Sequence, residues 1–298
     1  YALFLAILQR KEFMIIYTNE ENRKDGVKMD LAICSFASSS SGNSYIIKSE
    51  DTSVIVDTGI TAKAIDAGMV YAGADYDSLG AILITHEHGD HIKSLHTLVK
   101  RRPFRGMVFA TGGTKEATLE KAASLSAGDF ETVKRGDAFR IKDIRVNVFG
   151  ISHDTPEPVC YSFEKNGKKI AIVTDTGYIT EEIFQAIHGV DILVLEANHE
   201  KNLLLYGRYP YPLKRRILSD TGHLSNEDCG GALCRYLTEL GGEKIPQVIL
   251  AHLSSENNTP VQALLTVRNI LEENDFYVGR DLALSVAPKD TPSRLIVI

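Results

Sequence analysis

Three of the chain's nine histidines fall in one run, Thr85-His86-Glu87-His88-Gly89-Asp90-His91. Neutral imidazoles at alternate positions, here His86 and His88, can converge on one metal ion. A carboxylate followed at once by another imidazole, Asp90 and His91, can serve a second ion beside it. A polar surface turn rich in histidine is the bland alternative, but the Asp stands at the register that a second ion needs. Further ligand types follow apolar, β-like runs elsewhere: His153 after 144–149, Asp175 after 169–174 and His252 after 248–251. Singly, such an Asp is usually a turn residue and a lone His is often structural. Jointly they describe one dinuclear site. Asp175 is the natural bridge, because a carboxylate has two oxygens to share between two cations.

The elements around these residues must deliver them to one rim. Ala81-Ile82-Leu83-Ile84 is short, apolar and β-branched enough for a buried strand. After the motif, Ile92, Leu95, Leu98 and Val99 recur at helical spacing. Upstream, Leu31–Phe36, Tyr45–Ile47 and Ser53–Val56 read as strands. The serine-rich Ala37–Ser44 between the first two is either a linker or a hairpin turn offering hydroxyls. Strands are expected at 107–110, 144–149, 159–163, 169–174, 191–195, 248–251 and 282–286, with Asn166-Gly167 as a hairpin turn. Helices are expected at 61–70, 179–187, 226–240 and 261–273. Two β-rich halves with helices appended fit a four-layer αββα sandwich within the α/β class, formed as a single domain over 29–298. Residues 1–28 read as an upstream extension, with Met29 as the natural start.

Composition sets limits on function. At 298 residues the chain can bury a sizeable core. No apolar run is long enough to cross a bilayer, so no membrane role is expected. A net charge of -6 argues against nonspecific coating of nucleic acid, while leaving room for a local basic groove. The four cysteines form no CxxC pair, which suits reduced thiols in a cytoplasmic protein.

The set His86-x-His88-x-Asp90-His91, His153, Asp175 and His252 closely resembles the metallo-β-lactamase-fold hydrolases over essentially everything from Met29 onward. By that resemblance His86, His88 and His153 hold one divalent ion, Zn or Mn. Asp90, His91 and His252 hold the other, and Asp175 bridges. Class-B β-lactamases match poorly, since they typically lack the His after the motif's Asp and carry Cys where Asp175 stands. Glu196, ending Leu193-Val194-Leu195-Glu196, and His223, in Thr221-Gly222-His223-Leu224-Ser225, look like motifs of tRNA 3′-processing endonuclease and related phosphodiesterases. There the Glu orients the His, and the His attends the scissile phosphate. The serine-rich turn, Gly222–Asn226 and Tyr209-Pro210-Tyr211-Pro212-Leu213-Lys214 look closest to the bacterial WalJ/YycJ family, whose members are regarded as nucleic-acid exonucleases. No large cap insertion separates Asp175 from His252, unlike the β-CASP ribonucleases. The bland readings are a helix N-cap at Ser225-Asn226 and a strand-end charge at Glu196.

What the resemblance implies is a metal-dependent phosphodiesterase on nucleic acid, a 5′→3′ exonuclease on DNA, with Asp90, Glu196 and His223 as catalytic residues; a homodimer is allowed. Two adjacent divalent ions lower the pKa of a shared water from about 16 toward about 7, and the hydroxide attacks phosphorus. His223 then gives the leaving oxygen its proton, with Glu196 fixing the tautomer. Asp57, in Val56-Asp57-Thr58-Gly59, either orients metal-binding loops from behind or is a plain turn residue. Two basic clusters exist, Lys100–Arg105 and Tyr206–Arg216. Arg208, Tyr209, Lys214, Arg215 and Arg216 are candidate substrate contacts, with Ser254 beside His252. A solvated charged face is the alternative. A small-molecule hydrolase of the same fold, a cyclic phosphodiesterase or a glyoxalase II-like thioesterase, is the competing function.

Overall fold

Every residue of the run Ile192–Glu196 is buried, and so is every residue of Ala32–Ser39. Strands with no polar face belong to sheets covered on both sides. A computed structural model, which describes residues 29–298, arranges them accordingly; the expected extension over 1–28 lies outside the described residues. One seven-stranded sheet contains β1 (Ala32–Ser39), β2 (Gly42–Lys48), β3 (Ser53–Val56), β4 (Leu79–Leu83), β5 (Met107–Ala110) and β6 (Phe130–Thr132) in spatial sequence. The other runs β7 (Ala138–Ile141), β8 (Ile144–Gly150), β9 (Val159–Lys165), β10 (Lys168–Val173), β11 (Ile192–Glu196), β12 (Gln247–Ala251), β13 (Ala283–Val286). The last strand, β14 (Ile296–Val297), returns to the first sheet beside β1. Both sheets follow one scheme. Antiparallel hairpins lead, then parallel pairing takes over after β3 and after β10.

The parallel connections require crossover helices, which form the outer layers. They are α1 (Ala62–Tyr71), α2 (Gly89–Ile92), α3 (Leu95–Arg101), α4 (Gly112–Lys121), α5 (Glu181–Ile187), α6 (Lys201–Tyr206), α7 (Tyr211–Ile217), α8 (Asn226–Leu240) and α9 (Pro260–Glu273). Alternate strand residues divide the core into three bodies. Ile33, Val54, Val56 and Leu83 meet Val146, Tyr161, Ile172 and Val194 between the sheets. Ile46, Ile55 and Ile82 pack outward on Ile65 and Met69 of α1. Ala171, Leu193 and Leu250 pack outward on α5, α8 and α9 through Ile183, Leu233 and Val267. The expected four-layer αββα sandwich is therefore the observed one.

Three local differences from the sequence reading have physical causes. The serine-rich segment is mostly strand, with only Ser40-Ser41 turning between β1 and β2, and a bulge lies between Ser35 and Ala37. Its hydroxyls find partners within the sheet, as in the 2.7 Å contact of Ser38 Oγ with Tyr45 Oη. The helix after the histidine motif is split into α2 and α3 at Lys93-Ser94, because Ser94 N and Oγ both donate to the Thr58 carbonyl at 3.0 Å. Finally β6, β7, α4, α6 and α7 were too short or too polar to show an apolar period.

Tyr161 pins the two sheets together directly ahead of the histidine motif. Its ring lies in the inter-sheet core and its hydroxyl donates to the Ile84 carbonyl at 2.8 Å, while Val159 N donates to the Thr85 carbonyl at 3.1 Å. Tyr161→Phe keeps the ring and strands that carbonyl in a buried place. We expect a loss of about 1–2 kcal/mol, read as a lower urea midpoint at unchanged slope; an unchanged midpoint would mean the bond contributes nothing.

Candidate metal centre and active site

Each loop of the site leaves the carboxyl end of a strand, the rim where open sheets place ligands. Three of these strand-end residues, Asp57 (φ 60), Asp175 (φ 60) and His252 (φ 55), adopt the left-handed conformation that non-glycine residues rarely take. Each such residue costs roughly 1–3 kcal/mol and persists where surrounding structure over-determines it. Here hydrogen bonds do so. Asp57 accepts from Thr85 N and Thr85 Oγ1 at 2.9 and 2.8 Å, and His252 N donates to Ser38 Oγ at 2.9 Å. Behind the histidine motif the chain at Gly59 touches Asp90 so closely that a Cβ would sit 1.5 Å from the Asp90 carbonyl oxygen. No other residue fits there.

Six imidazoles and five carboxylates (Asp57, Asp90, Asp154, Asp175 and Glu196) gather on this rim, and two groups stand out among them. In the first, His88 Nδ1 lies 3.1 Å from His86 Nε2 and 3.2 Å from His153 Nε2, so three ring nitrogens face one point. In the second, Asp90 Oδ2 lies 3.5 Å from His91 Nε2 and 3.6 Å from His252 Nε2. Asp175 stands between them: Oδ2 is 3.4 Å from His91 Nε2, and Oδ1 is 3.8 Å from His153 Nε2. Both groups have the donor atoms and spacing to hold a metal ion.

The nitrogens turned away from the rim are nearly all engaged, as metal-binding imidazoles require. His91 Nδ1 donates to Asp57 Oδ2 at 2.8 Å, His153 Nδ1 to the Gly222 carbonyl at 3.2 Å, and His252 Nδ1 to Glu196 Oε1 at 2.8 Å. His86 Nδ1 lies 3.0 Å from Thr85 Oγ1, whose own proton goes to Asp57. Conversely, Asp175 Oδ2 and His252 Nε2 are buried without any hydrogen-bond partner among the described residues. Buried polar atoms left without a hydrogen-bond partner are what a bound cation would satisfy.

The electrostatics divide the same way. Burial and mutual repulsion hold His86 far below its ordinary value and His88 down at about 4, so both stay neutral. Burial also works against His91 and His252, but Asp175, Asp57 and Asp90 override it for His91, and Asp175, Asp90 and Glu196 raise His252 to about 10. The second group draws positive charge towards itself.

Glu196 links this cluster to His223. Oε1 accepts from His223 Nδ1 at 2.9 Å as well as from His252, and Oε2 accepts from Thr176 N and Leu224 N at 2.9 and 3.2 Å. Burial would raise this carboxyl, but the bonds and charges of His223 and His252 outweigh it and hold it ionised. The reading from sequence gave Glu196 one histidine partner; it has two. His223 is largely buried, and it stands with Asp175, Glu196 and His252 in a further group whose atoms lie close enough to hold an ion.

Other candidates fall in different places. Arg216 donates Nη2 to Asp154 Oδ1 at 2.8 Å, and that oxygen lies 3.6 Å from His153 Nε2, which sets the guanidinium on the rim. Lys214 instead spends its ammonium on the Leu205 and Gly207 carbonyls, both at 2.8 Å, and so braces the α6–α7 turn. Ser254 Oγ accepts from Asn257 N at 3.1 Å and shapes its own turn. Arg215 lies 6.0 Å over the Tyr211 ring. Arg208 and Tyr209 occupy the link between the two short helices. Of the other basic run, Lys100 pairs with Asp129 at 2.8 Å and Arg102 with Asp66 at 2.7 Å.

Several residues at the site escaped notice in the sequence. Asn43 Nδ2 reaches 3.5 Å from Asp90 Oδ2 and 3.1 Å from His91 Nε2. Asn198 Nδ2 donates to the His252 carbonyl at 2.8 Å, and Asn258 Nδ2 donates to the Ala197 and Asn198 carbonyls at 2.9 and 3.1 Å. These asparagines tie the loops of Glu196 and His252 together. Only their position just beyond strand ends could have flagged them.

Comparison with known proteins agrees with this geometry. The β-lactamase superfamily domain matches residues 52–253. The chain is 35% identical over 267 residues to exodeoxyribonuclease YycJ of Bacillus anthracis, covering 90% of this chain and 99% of that protein. It is 36% identical over 266 residues to exodeoxyribonuclease WalJ of Streptococcus pneumoniae, covering 88% and 96%. Among solved structures, the metallo-β-lactamase-fold protein YhfI of Bacillus subtilis superposes with a TM-score of 0.65 at 13% identity, over 89% of this chain and 99% of that one. With its sandwich, its rim of clustered histidines and carboxylates, and its full-length kinship to YycJ and WalJ, the chain belongs to the β-lactamase superfamily and, within it, to the YycJ/WalJ family.

Proposed function

We propose that this protein is a metal-dependent nuclease that shortens DNA from its 5′ end, hydrolysing one phosphodiester at a time. The single observation that carries the reading is the Glu196-bound His223 beside two groups of candidate ligands with Asp175 standing between them. Kinship to proteins named exodeoxyribonucleases supports DNA as the substrate. On this reading His86, His88 and His153 hold one divalent ion, and Asp90, His91 and His252 hold another, with Asp175 between; Zn and Mn both suit such donors. When bound, such ions supply Lewis-acid charge for the phosphate and a water acidic enough to ionise near neutral pH.

The chain's own residues do the rest. Glu196 accepts from His223 Nδ1, and in the imidazolium form of His223 the second proton, on Nε2, is the one given to the departing sugar oxygen. The same carboxylate holds His252, so general acid and ligand are set by one anchor. Asp57 plays that part for His91. Asp90 keeps negative charge beside His91 and His252, while Arg216 on the rim can leave Asp154 for a phosphate oxygen. Residues 29–298 act as one catalytic unit, since loops from both sheets build the site. Among the described residues no helix is long and apolar enough to cross a membrane. Cys34, Cys160 and Cys229 are buried with their thiols pushed up by burial, which suits the reduced conditions of a cytoplasm.

Asp175→Ala should lose most of the bound metal, about two ions per chain in the wild type, by elemental analysis of purified protein. Wild-type metal content in that variant removes Asp175 from the bridge. His223→Ala should retain its metals while kcat on a 5′-phosphorylated oligonucleotide drops by about 10²–10⁴. Its hydrolysis of a p-nitrophenyl phosphodiester should change far less, because that leaving group needs no proton. Glu196→Gln should lose both turnover and metal, since it loosens His252 as well. A His223→Ala enzyme that trims oligonucleotides at the normal rate would remove the general acid from the mechanism.

A further inference from the structure

The candidate site occupies the carboxyl ends of the central strands. The opposite end of the second sheet carries a cleft of about 380 Å³ that the chemistry described so far does not use. Five cations line it, Arg140, Arg145, Lys165, Lys168 and Lys169, against the two carboxylates Asp143 and Glu164. On a chain of net charge -6 this is a strong local reversal.

Strand register explains how dispersed residues come together. Arg140 of β7 is paired with Arg145 of β8, Arg145 with Glu164 of β9, and Glu164 with Lys169 of β10. They form one row across four strands. Their neighbours Ile144 and Val146 point into the inter-sheet core, so the row lies on the outer face. The acids offset the lysines rather than the arginines: Asp143 is engaged by Lys165 at 2.9 Å, Glu164 stands 3.8 Å from Lys169, and Asp191 stands 3.8 Å from Lys168. Arg145 gives Nε to Asn147 Oδ1 at 3.1 Å, and among the described residues neither it nor Arg140 meets a carboxylate. Two arginines directly opposite on neighbouring strands repel each other, a cost that a bound anion removes.

We infer that this cleft binds backbone phosphates of the nucleic-acid strand, remote from the bond being cut. The inference rests on the nuclease reading above. It adds a second contact that would hold a long substrate while the end is trimmed. From Arg145 along β8 to Gly150, and onward to His153, the distance is roughly 15–25 Å at about 3.3 Å per residue. With phosphates about 3.4 Å apart along each strand of a duplex, only substrates longer than roughly six nucleotides reach both places.

The test compares lengths on the metal-loaded protein. Binding is read by anisotropy of a labelled 20-base-pair duplex with phosphorothioate ends that resist cleavage, and turnover is read on a trinucleotide. Arg140→Gln with Arg145→Gln should weaken duplex binding about tenfold and reduce the slope of log Kd against log salt by about 2. KM and kcat on the trinucleotide should stay as in the wild type. Lys168→Gln should show the same pattern to a smaller degree. Unchanged duplex affinity and slope overturn the assignment. So does an equal loss on both lengths in both variants, because a remote contact must depend on length. A wild type that binds the duplex in this way yet cleaves no DNA defeats the nuclease reading instead.

Discussion

Four carboxylates, Asp57, Asp90, Asp175 and Glu196, meet at one rim, three of them almost wholly buried. Much of the local structure answers that constraint. An isolated buried charge is too costly to keep, so each acid must be paired, hydrogen-bonded or neutralised. Asp57 takes Thr85 and His91, and Glu196 takes Thr176, Leu224, His223 and His252. Asp175 is left with an oxygen that has no hydrogen-bond partner among the described residues. The protein thus builds a deficit of positive charge into its own core and aims it at a single point. Left-handed backbone at Asp57, Asp175 and His252 is the local distortion through which those side chains reach that point.

The architecture explains how such a cluster can be rigid. Parallel strands end together, so a sandwich of two similar halves presents many loops to one rim without any loop being long. Tyr161 and Val159 couple the second sheet to the residues just before His86, and Ser38 couples the first sheet to His252. Each sheet therefore braces ligands carried by the other. Polar bonds in a dry interface are strong where fully satisfied, which favours one geometry over its neighbours.

How far the sequence discloses this follows from the physics of each signal. A fully buried strand announces itself by an unbroken apolar run, and candidate ligands announce themselves by standing at its end; that His86, Asp175 and His252 come to one rim was legible for that reason. The serine-rich segment misled because serine in a strand looks like serine in a turn until its hydroxyl partners are known. Lys214 and Ser254 looked available for substrate, but their polar atoms serve nearby backbone groups, a use no spacing reveals. Asn198 and Asn258 carry no charge and no motif of their own. The second partner of Glu196 was hidden as well, since His223 and His252 are distant in sequence and converge only in space.

Charge shows the same limit most clearly. A run such as Lys214-Arg215-Arg216 is conspicuous in a linear reading, yet one member braces a turn, one lies over an aromatic ring and one pairs with Asp154. The row of Arg140, Arg145 and Lys169 is invisible in the same reading, because its members sit on different strands and only pairing register aligns them. Helical and loop basic clusters are therefore over-read from sequence, and cross-strand clusters are under-read. In a two-sheet enzyme with an acidic average charge, where basic side chains gather is set by register as much as by composition.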